Sequence, residues 1–141
     1  MKLLAWAIVS LGLLTSASTP MAAQEARQGD RVELRQNYPN PFNPETTIPF
    51  TLPASLFAGG QKPVVSLRIY NVLAQLVSIP ILQGSGQPLD NVQLEWNGTG
   101  EYSAYWDGKV LRSDREAASG VYVYQLVVNG ERFTGKMTIV K

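Results

Sequence analysis

The stretch that decides the fold runs from Leu34 to Leu52 and reads Leu-Arg-Gln-Asn-Tyr-Pro-Asn-Pro-Phe-Asn-Pro-Glu-Thr-Thr-Ile-Pro-Phe-Thr-Leu. Its first three prolines fix their own φ angles and push the residues before them into extended conformations, so a helix cannot form there. A central strand would lose too many hydrogen-bond donors. We therefore predict an ordered but irregular loop, anchored to a core by Tyr38 and Phe42. The alternative is a proline-rich linker.

The residues after this loop have the alternation of a half-buried strand. Ile48, Phe50 and Leu52 are apolar and alternate with Pro49 and Thr51, which is the period of two that a strand requires. Pro49 cannot donate a ladder hydrogen bond, and it belongs to the outward-facing set. The pattern therefore predicts an edge strand at this position.

Six further segments carry the same signal, separated by turn residues such as Asn97-Gly98-Thr99-Gly100 and Asn129-Gly130. We find no convincing helix after the N-terminus. About seven short strands with regular turns predict an all-β, immunoglobulin-like antiparallel sandwich. Its expected buried residues are Leu67, Ile69, Trp106, Tyr122, Tyr124 and Leu126. The six segments are 65–69, 76–82, 92–96, 102–106, 121–128 and 132–140, with a tight turn expected over Asn71 to Gln75.

The N-terminus has the pattern of a secretory signal peptide. Lys2 precedes an apolar run from Leu3 to Leu14, which is too short to span a membrane, and small and polar residues follow it. Cleavage is expected after Ala23, with Ala17 as the other option. The chain of 141 residues has room for one domain. We predict a signal peptide over 1–23, a disordered linker over 24–32 and a single domain over 33–141.

Charge and residue types argue against several functions. Loss of Lys2 from the 12 basic residues would balance the 11 acidic ones, and a near-neutral domain is a poor partner for nucleic acid or an anionic membrane. The chain has no His and no Cys, which removes Ser-His-Asp and Cys-His catalysis and ordinary zinc sites. We therefore expect no enzyme, no cofactor, no metal and no small-molecule substrate.

Two sets of side chains were weighed as candidate sites. Asp107 with Asp114 or Glu116 is the nearest acidic set, but the preferred interpretation is a turn residue and two solvated charges, because their spacing fits no ordered calcium loop. The second set is aromatic. Exposed, it could stack on sugars, but we favour core packing, with Trp106 as the large central side chain. The aromatic set is Tyr102, Tyr105, Trp106, Tyr122 and Tyr124.

Five blocks of sequence, in order, cover nearly all of the chain after Gln28. Together they resemble the type A C-terminal sorting domain of the type IX secretion system, a family closely similar to the immunoglobulin-like domain of the flagellar hook-capping protein. The blocks are Asn37-Tyr38-Pro39-Asn40-Pro41-Phe42-Asn43-Pro44 with Thr46-Thr47-Ile48, then Leu67-Arg68-Ile69-Tyr70-Asn71-Val72-Leu73, Trp106-Asp107-Gly108, Ala118-Ser119-Gly120-Val121-Tyr122 and Lys136-Met137-Thr138-Ile139-Val140-Lys141.

The chain departs from the family pattern at two turns. Family members usually carry Gly where this chain has Ala74, and an Ala with positive φ costs about 1 kcal/mol or changes the turn. The loop Lys109 to Ala117 has Asp114 but lacks the Gly that the family carries there. Neither change touches the core blocks, so we expect the fold to be kept.

The resemblance implies a two-step route of export. The signal peptide takes the chain across the inner membrane, and outer-membrane translocon components then read the folded domain, which reaches the cell surface or the medium. The expected address is the last strand and its basic end, Lys136, Met137, Thr138, Ile139, Val140 and Lys141. Lys136 and Lys141 are equally compatible with charges that protect an edge strand from aggregation. A sorting domain usually follows a large passenger, and none is expected here.

The alternative function belongs to a different class. The similarity to the flagellar capping domain, an assembly module, keeps open a free-standing immunoglobulin-like structural or adhesion module at the cell surface. Such a module would associate with itself or pack on another surface protein.

Overall fold

A computed structural model describes residues 30–141 of the chain. The predicted signal peptide, 1–23, and residues 24–29 of the predicted linker lie outside the described residues. Of the remaining linker residues, Asp30 and Arg31 are exposed, whereas Val32 packs against the core. A short 3₁₀ segment, Ala54–Gly60, accompanies nine strands: β1 Glu33–Leu34, β2 Thr46–Thr51, β3 Val64–Tyr70, β4 Leu76–Ser78, β5 Ile81–Leu82, β6 Val92–Gln93, β7 Glu101–Trp106, β8 Gly120–Val128 and β9 Glu131–Ile139.

The strands form two antiparallel sheets. Sheet A has the order β1-β2-β7-β5, and sheet B has the order β4-β3-β8-β9, with the short β6 also paired to β3. The longest ladder, β8–β9, lies at one side of sheet B, and β3–β8 lies in the middle of that sheet. The prediction of an all-β antiparallel sandwich is therefore confirmed, with nine strands in place of about seven.

The core lies where the alternation predicted it. All six of the expected residues are buried, and Leu67, Ile69 and Leu126 are fully enclosed. In β2 the alternate residues Ile48 and Phe50 are also enclosed. A shift of one residue in any of these strands would expose its whole apolar set, so the apolar pattern determines the register.

The segment predicted as one return strand, Leu76 to Leu82, is instead two strands in different sheets. β4 pairs with β3 in sheet B, whereas β5 pairs with β7 in sheet A. Pro80 lies between them and has no N–H to donate, while its carbonyl accepts a hydrogen bond from Leu89 N–H at 2.9 Å. The ladder therefore stops at Ser78, and the chain crosses from one sheet to the other.

The predicted strand over Val92 to Trp96 is also shorter than expected. β6 ends at Gln93, and Trp96 is 43% exposed. Its ring packs against Phe57, with 5.2 Å between ring centroids. The Tyr102 hydroxyl donates to the Glu95 carbonyl at 2.5 Å, so this backbone is held by a side chain and not by a strand ladder.

β2 is not an edge strand, contrary to the prediction from Pro49. It lies between β1 and β7, and Pro49 is paired in register with Ser103 of β7. The Pro49 carbonyl accepts from Arg35 N–H at 3.0 Å, so the peptide groups of this residue face β1. Because these groups point away from β7, the missing N–H of Pro49 costs no hydrogen bond to β7. The strand on the other side, β1, is only two residues long.

The turn over Asn71 to Gln75 is confirmed, and Ala74 adopts the left-handed conformation expected of Gly, with φ of 60°. Ala74 N–H donates to the Asn71 carbonyl and Asn71 N–H to the Gln75 carbonyl, both at 3.0 Å. Arg112, in the loop Lys109 to Ala117, also has a left-handed backbone conformation, with φ of 56°. Both turns therefore carry the conformational cost of a side chain at positive φ.

Replacing Ala74 by Gly should therefore stabilise the domain. We expect the free energy of unfolding to rise by about 0.5–1 kcal/mol, since Gly populates positive φ without the steric cost. Urea denaturation followed by tryptophan fluorescence measures the change. The matched control is Ala58→Gly at an exposed site with φ of −61°, which should be slightly destabilising. Equal effects of the two substitutions would refute the prediction.

Candidate recognition site at the C-terminal strand

The segment that the resemblance marks as the address forms the end of β9 and the last two residues of the chain. Met137 and Ile139 are buried in the core, at 1% and 3% exposure. Lys136, Val140 and Lys141 are exposed, and Thr138 is half-buried. A partner that contacts the folded domain therefore meets the outward-facing residues of this strand, while the inward-facing ones hold it in place.

The proline loop, residues 36–44, lies along the outer edge of β9. Phe42 N–H donates to the Thr138 carbonyl at 3.0 Å, and Val140 N–H donates to the Phe42 carbonyl at 3.2 Å. Side chains extend the contact: Asn40 Oδ1 accepts from Thr138 N–H at 3.0 Å, and Gln36 Nε2 donates to the Lys136 carbonyl at 2.9 Å. The loop therefore satisfies edge groups that would otherwise be open for pairing with another chain.

Asn37 holds the loop from inside. Its side chain is 2% exposed, and Nδ2 donates to Thr46 Oγ1 at 3.0 Å and to the Pro39 carbonyl at 3.2 Å. Thr46 Oγ1 in turn donates to the same carbonyl at 3.0 Å. A buried amide is tolerated only when its polar atoms are hydrogen-bonded, and those of Asn37 are.

The peptide bonds before Pro39, Pro41 and Pro44 are cis.

Of the two aromatic residues predicted to anchor the proline loop, only Phe42 packs into the core. Phe42 is 2% exposed and meets Trp106 edge to face, with 5.6 Å between ring centroids. Tyr38 is 58% exposed, which corrects the prediction. Tyr38 exchanges backbone hydrogen bonds with Thr47, and successive side chains in an extended pair point to opposite faces. Asn37 therefore points inward and Tyr38 outward.

The block Trp106-Asp107-Gly108 packs under the loop. Trp106 Nε1 donates to the Lys109 carbonyl at 2.9 Å, and Asp107 Oδ1 accepts from Lys109 N–H at 3.0 Å. Asp107 is therefore the turn residue that we favoured. Gly108 has φ of 82°, and a Cβ there would collide with the Pro44 carbonyl. This glycine lets the turn approach the proline loop closely.

The block Ser119-Gly120-Val121-Tyr122 contacts the C-terminal segment from the other side. Ser119 Oγ accepts from Lys141 N–H at 3.2 Å, and Tyr122 is buried with its hydroxyl donating to the Ala118 carbonyl at 2.7 Å. Val121 is paired with Thr138 across the β8–β9 ladder. Gly120 begins β8, opposite Ile139.

The two lysines of the segment have different surroundings. Lys141 Nζ lies 3.1 Å from Glu116 Oε2, and both side chains are partly exposed, so this ion pair contributes little to stability. Lys136 has no carboxylate within 4.0 Å among residues 30–141. Its ammonium group lies on the outer face of sheet B, without an ion pair to any residue of 30–141.

The remaining residues of the resemblance, Tyr70 and Asn71, lie two strands away from β9. Tyr70 ends β3, half-buried and opposite Val123 of β8. Asn71 Oδ1 accepts from the N–H groups of Leu73 and Gln75, each at 3.0 Å. Asn71 therefore builds the turn, and Tyr70 contributes to the surface of sheet B.

The candidate acidic set does not assemble. Asp107 holds its own turn, Glu116 pairs with Lys141, and Asp114 is exposed. Across residues 30–141, no three His, Cys, Asp or Glu side chains lie close enough to hold a metal ion. The same part of the chain contains no helix with the length and apolarity needed to cross a membrane.

The aromatic set is core, as we favoured, apart from Tyr105. Tyr102, Trp106, Tyr122 and Tyr124 are buried, and burial raises the pKa of Tyr102 and of Tyr124. Tyr105 is half-buried, and its hydroxyl donates to Glu45 Oε2 at 2.5 Å. That hydrogen bond, with burial and nearby negative charge, raises the pKa of Tyr105 to about 12.

Sequence reasoning missed two residues that position the site. The motif that contains Asn37 does not predict its burial, and no motif includes Gly135. The Tyr124 hydroxyl donates to the Arg35 carbonyl at 2.9 Å, and its ring crosses β9 at Gly135. A Cβ at Gly135 would fall inside that ring. The signal was a lone glycine in the middle of an apolar alternation, which often marks a close approach.

The described residues define the class: an all-β antiparallel sandwich whose N-terminal proline loop covers its C-terminal strand. No protein-family model and no curated protein matches the chain. Among solved structures, the chain is similar to alkylpurine DNA glycosylase AlkC of Pseudomonas fluorescens, bound to DNA containing an abasic site analog. The identity is 20% and the TM-score 0.43, over 82% of this chain and 32% of that one. The chain thus spans about a third of that protein's length.

This comparison corrects one prediction. The sequence predicted no enzyme, yet a solved chain that this one resembles is an enzyme, a DNA glycosylase. The exclusion of catalysis is therefore withdrawn. A TM-score of 0.43 also transfers no activity to this chain, so the similarity assigns neither a reaction nor a ligand.

The different environments of Phe42 and Tyr38 predict different costs of truncation. Phe42→Ala should lower the free energy of unfolding by about 3–5 kcal/mol, because it removes a buried aromatic side chain. Tyr38→Ala, the matched control in the same loop, should change it by less than about 0.5 kcal/mol. Urea denaturation of both variants checks this. A loss for Tyr38→Ala as large as that for Phe42→Ala would mean that the loop is anchored differently.

The Glu45 contact predicts the titration of Tyr105. Glu45→Gln should lower the Tyr105 pKa from about 12 towards the ordinary value of 10.0, as followed by NMR of ring-labelled tyrosine. The folded-state pKa is raised, so the stabilisation is complete below pH 10 and is lost as the pH rises through about 12. Glu33→Gln, which removes a carboxylate near Arg35, should leave this titration unchanged. An unaltered Tyr105 pKa in Glu45→Gln would contradict the assignment.

Proposed function

We propose that this domain is a sorting module of the type IX kind, which directs export across the outer membrane to the cell surface or the medium. One observation carries the proposal. The first and last blocks of the resemblance, separated by about a hundred residues, are hydrogen-bonded to each other through Asn40, Phe42, Thr138 and Val140. The motif residues thus build one composite surface, as expected of a site read in the folded state.

Two of the three remaining blocks of the resemblance support the same surface. Gly108 lets the Trp106 turn approach Pro44, and Ser119 accepts a hydrogen bond from the last residue, Lys141. Four of the five blocks therefore contact either the loop or the C-terminal segment. We propose that the address consists of the side chains that remain accessible, with Lys136 and Lys141 as its charged members.

The proposed partners are components of an outer-membrane translocon, and the proposed route passes through the periplasm. The alternation of buried and exposed side chains in the C-terminal segment suits recognition by such a partner. Met137 and Ile139 are committed to the core, so a partner need not unfold the domain to contact Lys136, Val140 and Lys141. The recognition would depend on the fold, because the loop and β9 hold these residues in register.

A passenger fusion tests the proposal. Residues 30–141 fused behind an unrelated periplasmic passenger should carry it to the surface of a host with the translocon, and not of a translocon-deficient strain. Lys136→Gln with Lys141→Gln should leave most of the passenger in the periplasm, because the charged members of the address are lost. These exposed substitutions should cost little stability, which thermal melting of the purified fusion checks. Surface proteolysis measures the exported fraction.

Two control substitutions test whether loss of export results from loss of these particular lysines or from the loss of any surface ion pair. Lys62→Gln removes a lysine that pairs with Glu95 away from the segment, and export should be unchanged. Glu116→Gln removes the partner of Lys141 but keeps the lysine, and export should again be kept. Retention of the intact fusion in the periplasm of a competent host would defeat the sorting proposal. Full export of the double Lys variant would place the address elsewhere.

A free-standing interaction module at the cell surface is the second candidate. The observation that favours it is an accessible apolar area at the β3–β4 turn and the adjoining outer face of sheet B, where Val72, Leu73 and Leu76 are 74%, 75% and 45% exposed. Monomeric domains rarely expose contiguous apolar side chains without a partner. Failure of export in a competent host would leave this function in place of sorting.

A further inference from the structure

The outer face of sheet B carries an apolar area that the core does not explain. The strand registers place Leu76, Tyr70, Val123 and Lys136 side by side across β4, β3, β8 and β9. Val121 lies next along β8 and is 46% exposed. Four of the eight large exposed apolar side chains within residues 30–141 belong to this area or to the adjoining turn: Val72, Leu73, Leu76 and Val121.

A cavity opens in the middle of this area. Its volume is about 320 Å³, and it is lined by Tyr70, Asn71, Val72, Ala74, Val123 and Gln125. This volume is at the lower end of the range of about 300–1,000 Å³ that small-molecule pockets occupy. It therefore suits one large apolar side chain better than a whole small-molecule ligand.

Two basic side chains of β9 lie on the same face of sheet B as the cavity. Lys136 stands opposite Val123, and Arg132 stands opposite Val127 on the same outward-facing set. Neither has a carboxylate within 4.0 Å in the described part of the chain. Arg68 lies beside Gln125 and is neutralised by Asp90 at 2.8 Å. An arriving surface thus meets apolar side chains with uncompensated positive charge along one side.

The charge pattern selects the occupant. Two copies packed through this face would bring the uncompensated lysine and arginine of each copy together, which is unfavourable. A segment with carboxylates flanking an apolar residue matches both features. At Thr138, strand addition along β9 is blocked, because Phe42 and Asn40 already bond the peptide groups of this residue. The cavity itself lies on the face of the sheet, so contact with it comes through side chains.

We propose that the outer face of sheet B binds an acidic segment of a partner protein, which packs one large apolar side chain into the cavity lined by Tyr70 and Val123 and sets its carboxylates against Lys136 and Arg132. The apolar side chain supplies most of the affinity and the carboxylates supply orientation. This inference does not depend on the sorting role, since it concerns binding by the chain in solution.

Selection from a phage-displayed random-peptide library on the immobilised full chain tests the proposal. Enriched peptides should combine Asp or Glu with Phe, Trp, Tyr, Leu or Met. Binding of a synthetic enriched peptide, measured by calorimetry, should weaken with added salt because exposed charges are screened. In labelled protein, the peptide should shift the NMR signals of Tyr70 and Val123.

Variants locate the binding face. Val123→Asp and Lys136→Glu should each weaken the enriched peptide by about tenfold or more. Val72→Asp should weaken binding by the same factor. Because Val72 lies in a turn and is 74% exposed, this substitution does not disturb the core, and it replaces Val123→Asp as the test if that variant fails to fold. Lys62→Glu, beyond the other end of β3, is the charge-matched control and should bind as the parent does.

Several results would overturn the proposal. They are the absence of any enrichment, enrichment of basic or wholly polar peptides, and unchanged affinity in both Val72→Asp and Lys136→Glu. Sedimentation that shows a dimer broken by Val72→Asp would identify a second copy as the occupant instead. None of these results bears on the passenger fusion, which reports export and not peptide binding.

Discussion

The hydrogen bonds between the proline loop and β9 are the interaction on which the rest of this structure depends. β9 closes one side of sheet B, and an uncovered edge strand would offer its peptide groups to any other chain. Phe42 and Asn40 bond both the N–H and the carbonyl of Thr138. A loop can do this without a ladder of its own because its backbone is stiffened by prolines and held from inside by Asn37. The loop thus joins the first described residues of the domain to its last.

The hydrogen bonds between the proline loop and β9 determine which groups of the C-terminal segment a partner can contact. With its edge occupied and Met137 and Ile139 in the core, the segment offers only alternate side chains to a partner. Tyr124 adds a second connection, because its ring crosses β9 at Gly135 to reach Arg35. The proposed sorting surface follows from this arrangement. It shares Lys136 with the proposed peptide-binding face, and this exposed lysine has no carboxylate within 4.0 Å among residues 30–141.

The sequence predicted the parts of the fold that depend on neighbouring residues. The alternation in β2, β3, β7 and β8 was read correctly, because the period of two is a local property of an extended chain. The predictions failed where a distant partner decides the outcome. Tyr38 faces outward because its backbone pairs with Thr47, and the predicted return strand divides because Pro80 lies where the chain changes sheets. The candidate site was predicted as a segment with exposed lysines, but the burial of Met137 and Ile139 and the loop along its edge were not predicted.

By itself, the sequence determined an all-β sandwich, its buried alternation, its turns and the irregular course of the proline loop, since each of these follows from local sterics and apolar periodicity. Only the tertiary structure decided which residues meet. The bond from Thr138 to Asn40 joins residues 98 positions apart, and no local pattern encodes such a separation. The same holds for Gly135 beneath Tyr124 and for the row from Leu76 to Lys136, because the order of strands in a sheet is settled by how the two sheets bury their apolar faces together.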